Sequence, residues 1–234
     1  MTKHEFINRV MVIMNEASMT DKEGILIMGA DNAQVDRYIE SAYIDAWRRC
    51  ITVMPKMWFE NASFKSADVT PNKKDGTGYI VLPEDYYLLT EFKMKGWVKS
   101  ISEASVRNDR NSNIQSNERT RGSIYRPALL LGAKDVGNEI KPVLEYFSLP
   151  KGEDKNHEIE TAIYIPMPEE LKELDMEDKL PLKEQVLEPL AYLVGSTVYT
   201  QFEKYDFAKA LEMRAAEMYP GLRTEVKGVA TTKQ

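Results

Sequence analysis

A chain with one cysteine cannot close a disulfide within itself, and Cys50 falls inside an apolar helical pattern, so a buried, unreactive thiol is expected. Histidine is nearly as scarce. His4 stands near the first residue and His157 in the charged run KGEDKNHE, where a solvated turn is expected; neither invites a catalytic triad, and no Cys/His spacing suits zinc. No apolar run approaches the length that spans a bilayer. The opening MTKHEFINRVMVIMNEAS lacks the unbroken apolar core and small-residue cleavage site of a signal peptide, so neither a membrane partner nor an anchor is expected. An excess of positive charge is missing too. Lys and Arg number 31 against 37 Asp and Glu, a net charge of −6, which excludes a surface that grips phosphate all over and confines any nucleic-acid contact to a local patch.

What is present describes an ordinary folded protein. With 234 residues, 43% of them hydrophobic and 29% charged, the chain can bury one core or two smaller ones. Phe6, Ile7, Val10, Met11, Ile13, Met14 and Ala17 keep helical spacing from Thr2 to about Ser18, with Thr2 and Glu5 as a capping box. A second helix follows from Asp31, where Val35, Ile39, Ala42, Ala46 and Cys50 form a stripe, Asp31 and Gln34 can cap the start, and Pro55 marks the end. Between them, Gly24 to Gly29 encloses the apolar run Ile25-Leu26-Ile27-Met28, a loop whose greasy centre needs a cover.

Past Pro55 the texture changes to short extended runs: Ser63 to Val69, Gly78 to Leu82, Leu88 to Gly96, Ala128 to Gly132, Val143 to Phe147 and Glu160 to Ile165. The final third returns to helix. Pro181 suits a first turn, Leu187, Leu190, Ala191, Val194, Val198 and Phe202 form a stripe that breaks near Asp206, and Pro220-Gly221 stops it. The expected fold class is α+β: N- and C-terminal helices in one bundle (1–57 and 181–221) with a small antiparallel β domain (58–180) inserted, and a tail, 222–234, without a core pattern.

Three features compete for a chemical role. The spacing of Gly24 and Gly29 mimics a phosphate-binding loop, but Ala30 and Asp31 stand where lysine and a hydroxyl would be needed. The acidic run Glu169, Glu170, Glu173, Asp175, Glu177 and Asp178 lacks the glycine and ligand periodicity of a calcium loop and is expected as a solvated linker, so no metal and no cofactor is expected. The long polar loop 100–126 carries Arg107, Arg110, Arg119, Arg121 and Arg126 among Asn and Ser. A solvated surface loop and a contact with DNA phosphate or an acidic partner explain it equally well. The loop lacks the repeated aromatic interleaving that stacks unpaired bases; Tyr86, Tyr87, Phe92 and Trp97 read as core or interface.

Four stretches together resemble a known family. They are VDRYIESAYIDAWRRCITVMP; GYIVLPEDYYLLTEFKMKGW; PALLLGAKDVGNEIKPVLEYFSLP followed by ETAIYIP; and LPLKEQVLEPLAYLVGSTVYTQFEKYDFAKALEMRAAEM. Their order is similar to that of the head-to-tail adaptors of short-tailed phages, the tail tubular protein A type, and to neck ring proteins of crAss-like phages. The resemblance lies in order and texture over most of the chain. It implies a structural virion protein and no enzyme: a homo-oligomer, a dodecameric ring assembled in the bacterial host cytoplasm and placed in the neck or tail of the virion. Portal protein and other tail or neck ring proteins would be its partners, and double-stranded DNA would pass its lumen without sequence specificity. The tail with Arg223 and Lys227 would strap onto the portal or an adjacent ring. Two other functions remain open from the residues alone, a cytosolic DNA-binding or assembly accessory protein and a metal-dependent nuclease accessory using Glu173 and Asp175.

Overall fold

The computed structural model describes residues 1–19, 32–64, 69–106, 110–115, 117–147, 149–150 and 157–222. The greasy Gly24 to Gly29 run and the tail 223–234 lie outside them. The chain divides into two compact units, one made of Met1–Glu60 and Pro168–Gln234, the other of Asn61–Met167.

The first unit is helical: α1 (Lys3–Met19), α2 (Asn32–Val53), α4 (Glu184–Gln201) and α5 (Tyr205–Met218). Helix α4 is its centre, packed against the other three. Val186, Leu187, Leu190, Ala191, Leu193, Val194, Val198 and Tyr199 are buried around most of its circumference, as expected of a helix surrounded by others. The stripe on α2 is buried from Val35 through Cys50, and Phe6, Val10, Ile13 and Met14 face inward from α1. Each such side chain contributes roughly 1.5–3 kcal/mol relative to exposure. The capping box forms: the Thr2 N–H donates to Glu5 Oε2 at 2.8 Å, and the Glu5 N–H to Thr2 Oγ1 at 3.2 Å.

The final helical stretch breaks at Phe202–Lys204, where Glu203 takes φ 60°, and resumes as α5. Pro181 precedes α4 by three residues and is no part of its first turn; Pro189 sits inside the helix instead. The expected acidic linker is not loose. Carbonyls of Met176 and Asp178 accept the N–H groups of His4 and Lys3 at 3.0 and 2.8 Å, so this segment satisfies donors that the first turn of α1 cannot use internally.

Among the described residues the second unit holds eight strands: β1 (Ala62–Ser63), β2 (Val69–Asn72), β3 (Thr77–Val81), β4 (Tyr86–Met94), β5 (Ser105–Val106), β6 (Leu129–Val136), β7 (Glu139–Tyr146) and β8 (Ile159–Pro166), with the short helix α3 (Arg110–Gln115) between β5 and β6. They form a three-stranded sheet of order β1-β8-β4 and a five-stranded sheet of order β2-β3-β7-β6-β5. Both sheets feed one core: Ile80, Leu144 and Tyr146 come from the larger, Leu89, Phe92, Ala162 and Tyr164 from the smaller. Phe64, Tyr86 and Tyr164 stack face to face within it, with centroids 4.9–5.9 Å apart. Gly137 and Asn138, both at positive φ, make the two-residue turn between β6 and β7, whose twist suits paired strands.

The expected fold class does not hold. The protein is a sheet-rich, mixed α+β fold in which, among the described residues, five helices accompany two sheets, not a helical bundle carrying a small antiparallel β insert. The β portion is larger than the apolar runs suggested, and β5 lies parallel to β6. Two causes can be named. The outer half of β6 extends past the core and lacks the apolar alternation that marks a half-buried strand, and Pro142 interrupts the outer half of β7. Strand β2 holds Pro71 and exposed polar residues at a sheet edge, where proline is tolerated.

Candidate site: a cationic loop edge

The loop 100–126 is built, not featureless. Besides β5 and α3 it contains a turn in which Asn117 Oδ1 accepts the Arg119 N–H at 2.9 Å, Gln115 Oε1 accepts the Gly122 N–H at 2.9 Å, and the Thr120 hydroxyl donates to the Ile114 carbonyl at 3.1 Å. These local side-chain bonds replace the backbone ladder that the polar sequence cannot supply. A second turn closes between Ser123 and Arg126, whose backbone groups exchange two hydrogen bonds.

Arg121 joins the loop to the β2–β3 hairpin. Its guanidinium donates to the carbonyl of Asp75 in the turn that carries Lys73 and Lys74. Gly76 at φ 65° gives that turn its shape, and its backbone lies so close to Leu149 that an added Cβ would stand 2.0 Å from the Leu149 carbonyl oxygen. The structure thus brings Arg121 to the turn that carries two lysines. Arg119 is exposed and Arg121 half-buried; Arg126 is exposed on the separate Ser123–Arg126 turn. Arg110 opens α3, its side chain outside the described residues, as are Arg107, Arg223 and Lys227 altogether.

A guanidinium carries five N–H donors, so the Asp75 carbonyl leaves Arg121 capacity for a carboxylate or phosphate oxygen. Lys73 and Lys74 were not singled out from sequence, although the turn signature Asn72-Lys73-Lys74-Asp75-Gly76 marks them as a loop tip.

Other titratable groups are committed to packing. The Cys50 thiol is fully buried, and burial pushes its pKa up to about 12. His157 is no member of a solvated turn: it is 5% exposed, with Nδ1 2.8 Å from the Tyr146 hydroxyl. Burial raises the pKa of that hydroxyl, so Tyr146 stays protonated. Lys3, also 5% exposed, pairs with Glu40 at 2.8 Å and donates to the Leu174 carbonyl at 3.0 Å. Asp36, on the same face of α2 as Glu40, has its pKa raised, first by desolvation and then by the Glu40 charge, and its buried Oδ1 meets no hydrogen-bond donor among the described residues.

Among the described residues no three His, Cys, Asp or Glu side chains cluster closely enough to hold a metal ion, and no helix is long and apolar enough to cross a membrane. No protein-family model matches the chain, and no curated protein sequence matches it.

Proposed function

We propose that the chain is a structural subunit of an oligomeric adaptor ring that joins the portal of a tailed phage to its tail and lines part of the channel through which DNA leaves. One observation carries the reading beyond resemblance: large apolar side chains stand in water in both units. Ile140 is 82% exposed, Met57 68%, and Tyr205, Val106 and Tyr125 63% each. Contacts between copies, and with a portal, would cover such residues. The cationic edge is small and local on an acidic chain, which suits a wall that DNA slides past: a lumen gripping many phosphates would hold the duplex through counterion release.

Negative-stain electron microscopy of the purified chain, alone and with a portal protein, tests the reading. Rings or ring-portal complexes are the expected result; a chain that forms neither overturns it. The approach of Arg121 to the turn of Lys73 and Lys74 also favours a second reading, a cytosolic DNA-binding or assembly accessory. Mass spectrometry of purified particles separates the two, because an accessory acting only during assembly is absent from them.

A further inference from the structure

The chain carries two exposed patches of opposite charge, one in each unit. The first lies at one end of the five-stranded sheet. Leu129, where β6 begins, pairs with Tyr146, and Tyr146 also pairs with Gly78, just past the β2–β3 turn. The Ser123–Arg126 turn, which feeds β6, and the turn carrying Lys73 and Lys74 therefore reach the sheet at the same end, where the Arg121 guanidinium binds the Asp75 carbonyl. Tyr125 stands 63% exposed on the Ser123–Arg126 turn. Lys74 and Arg126 are exposed as well, and neither makes an ion pair among the described residues.

The second patch is the acidic segment before α4. Leu171 and Leu180 are buried and hold its ends. Between them the Leu174 carbonyl accepts the Lys3 ammonium, and the Met176 and Asp178 carbonyls accept the N–H groups of His4 and Lys3. On this pinned backbone Glu173, Asp175, Met176, Glu177 and Asp178 are all exposed, Met176 by 45%. The four carboxylates make no ion pair among the described residues.

Each patch thus sets an exposed Tyr or Met among charges of one sign, a pairing of residue types that interfaces favour. The signs are opposite, and a thioether packs favourably against an aromatic ring. Duplex phosphate would meet the cations of the first patch but would leave Met176 and its carboxylates without a role; a second copy of the chain uses both patches. We propose that the Tyr125 end of the sheet docks on the Glu173–Asp178 segment of a second copy.

The proposal rests on the ring reading and deepens it. Unlike patches that meet make a head-to-tail contact, the kind that repeats from subunit to subunit until a ring closes. Copies of net charge −6 repel one another at long range, so a local cationic patch selects the orientation in which they meet.

Sedimentation velocity of the full chain, compared with Lys74→Glu/Arg126→Glu and with Glu173→Lys/Glu177→Lys, tests it. Each variant loses the attraction between unlike patches, and its self-association is expected to weaken at least roughly tenfold. An equimolar mixture holds an intact cationic patch on one variant and an intact acidic patch on the other, so it is expected to pair where neither variant pairs alone. All four positions are exposed, and circular dichroism should show both variants folded. Variants that associate as well as wild type, or a mixture that stays unpaired, would overturn the proposal. So would a Lys74→Glu/Arg126→Glu chain that releases a random-sequence DNA duplex bound by wild type yet keeps its self-association, because the cations would then serve DNA. Rings formed equally by wild type and variants under the microscope sink this contact and leave the ring reading standing, whereas a wild-type chain that never associates sinks both.

Discussion

Gly78→Ala tests how tightly neighbouring strands of the five-stranded sheet are fitted around Tyr146. Gly78 lies in β3 opposite Tyr146 of β7. A Cβ there would stand 2.2 Å from the Tyr146 hydroxyl oxygen, 2.4 Å from its Cζ and 2.7 Å from the Thr70 carbonyl oxygen. The ring cannot swing away, because Tyr146 is fully buried and its hydroxyl is bonded to His157. Overpacking of this kind costs about 1–3 kcal/mol, and loss of a buried hydrogen bond about 1 more. Replacing glycine in a strand returns roughly 0.5–1 kcal/mol of backbone entropy, leaving a net loss of about 2 kcal/mol.

Urea unfolding followed by Trp97 fluorescence in variants lacking the other two tryptophans would report the β unit alone. Tyr146→Leu supplies the missing space, so Gly78→Ala in that background should cost at least about 1 kcal/mol less than in the wild type. A Gly78→Ala loss under about 0.5 kcal/mol, or strict additivity with Tyr146→Leu, would show that the close approach is not what fixes glycine at this position.

Three further outcomes follow from buried charges and the thiol. Asp36→Asn should stabilise the protein at neutral pH: a carboxyl whose folded pKa lies above its unfolded value favours folding when protonated and costs stability as pH rises through the folded value, so the gain should vanish in acid. Chemical unfolding at several pH values reads it, and an unchanged or reversed difference contradicts it. Lys3→Met strands the half-buried Glu40 and should cost about 3 kcal/mol in thermal or urea unfolding. Cys50 should resist iodoacetamide at pH 8 until denaturant is added; rapid labelling of the native chain would refute its burial.

The helices were readable because their signals are local and periodic. The stripe on α2, the Thr2–Glu5 box and the break between α4 and α5 depend on spacing that folding preserves. Where tertiary context decides, reading failed. His157 sits in a charged run, yet the run's end turns inward and puts the ring against Tyr146. The Gly137-Asn138 pair is a hairpin signal, but polar flanks hid the strands that it joins. Of the candidate site, arginine content marked the loop, while the partner turn at Lys73 and Lys74, some 45 residues away in sequence, became adjacent only through the Arg121 bond to Asp75. Long-range adjacency of that sort leaves no trace in local composition.

The β unit is one uninterrupted stretch of chain whose first and last strands, β1 and β8, are paired neighbours. The helical unit, by contrast, is assembled from both ends, and its central helix α4 is made late. During synthesis the inserted unit can therefore close while α1 and α2 still show their apolar stripes to water. Once β8 has left the ribosome, and until α4 has, the nascent chain carries a finished β unit and two helices without their central partner, the stage at which a chaperone has most to hold.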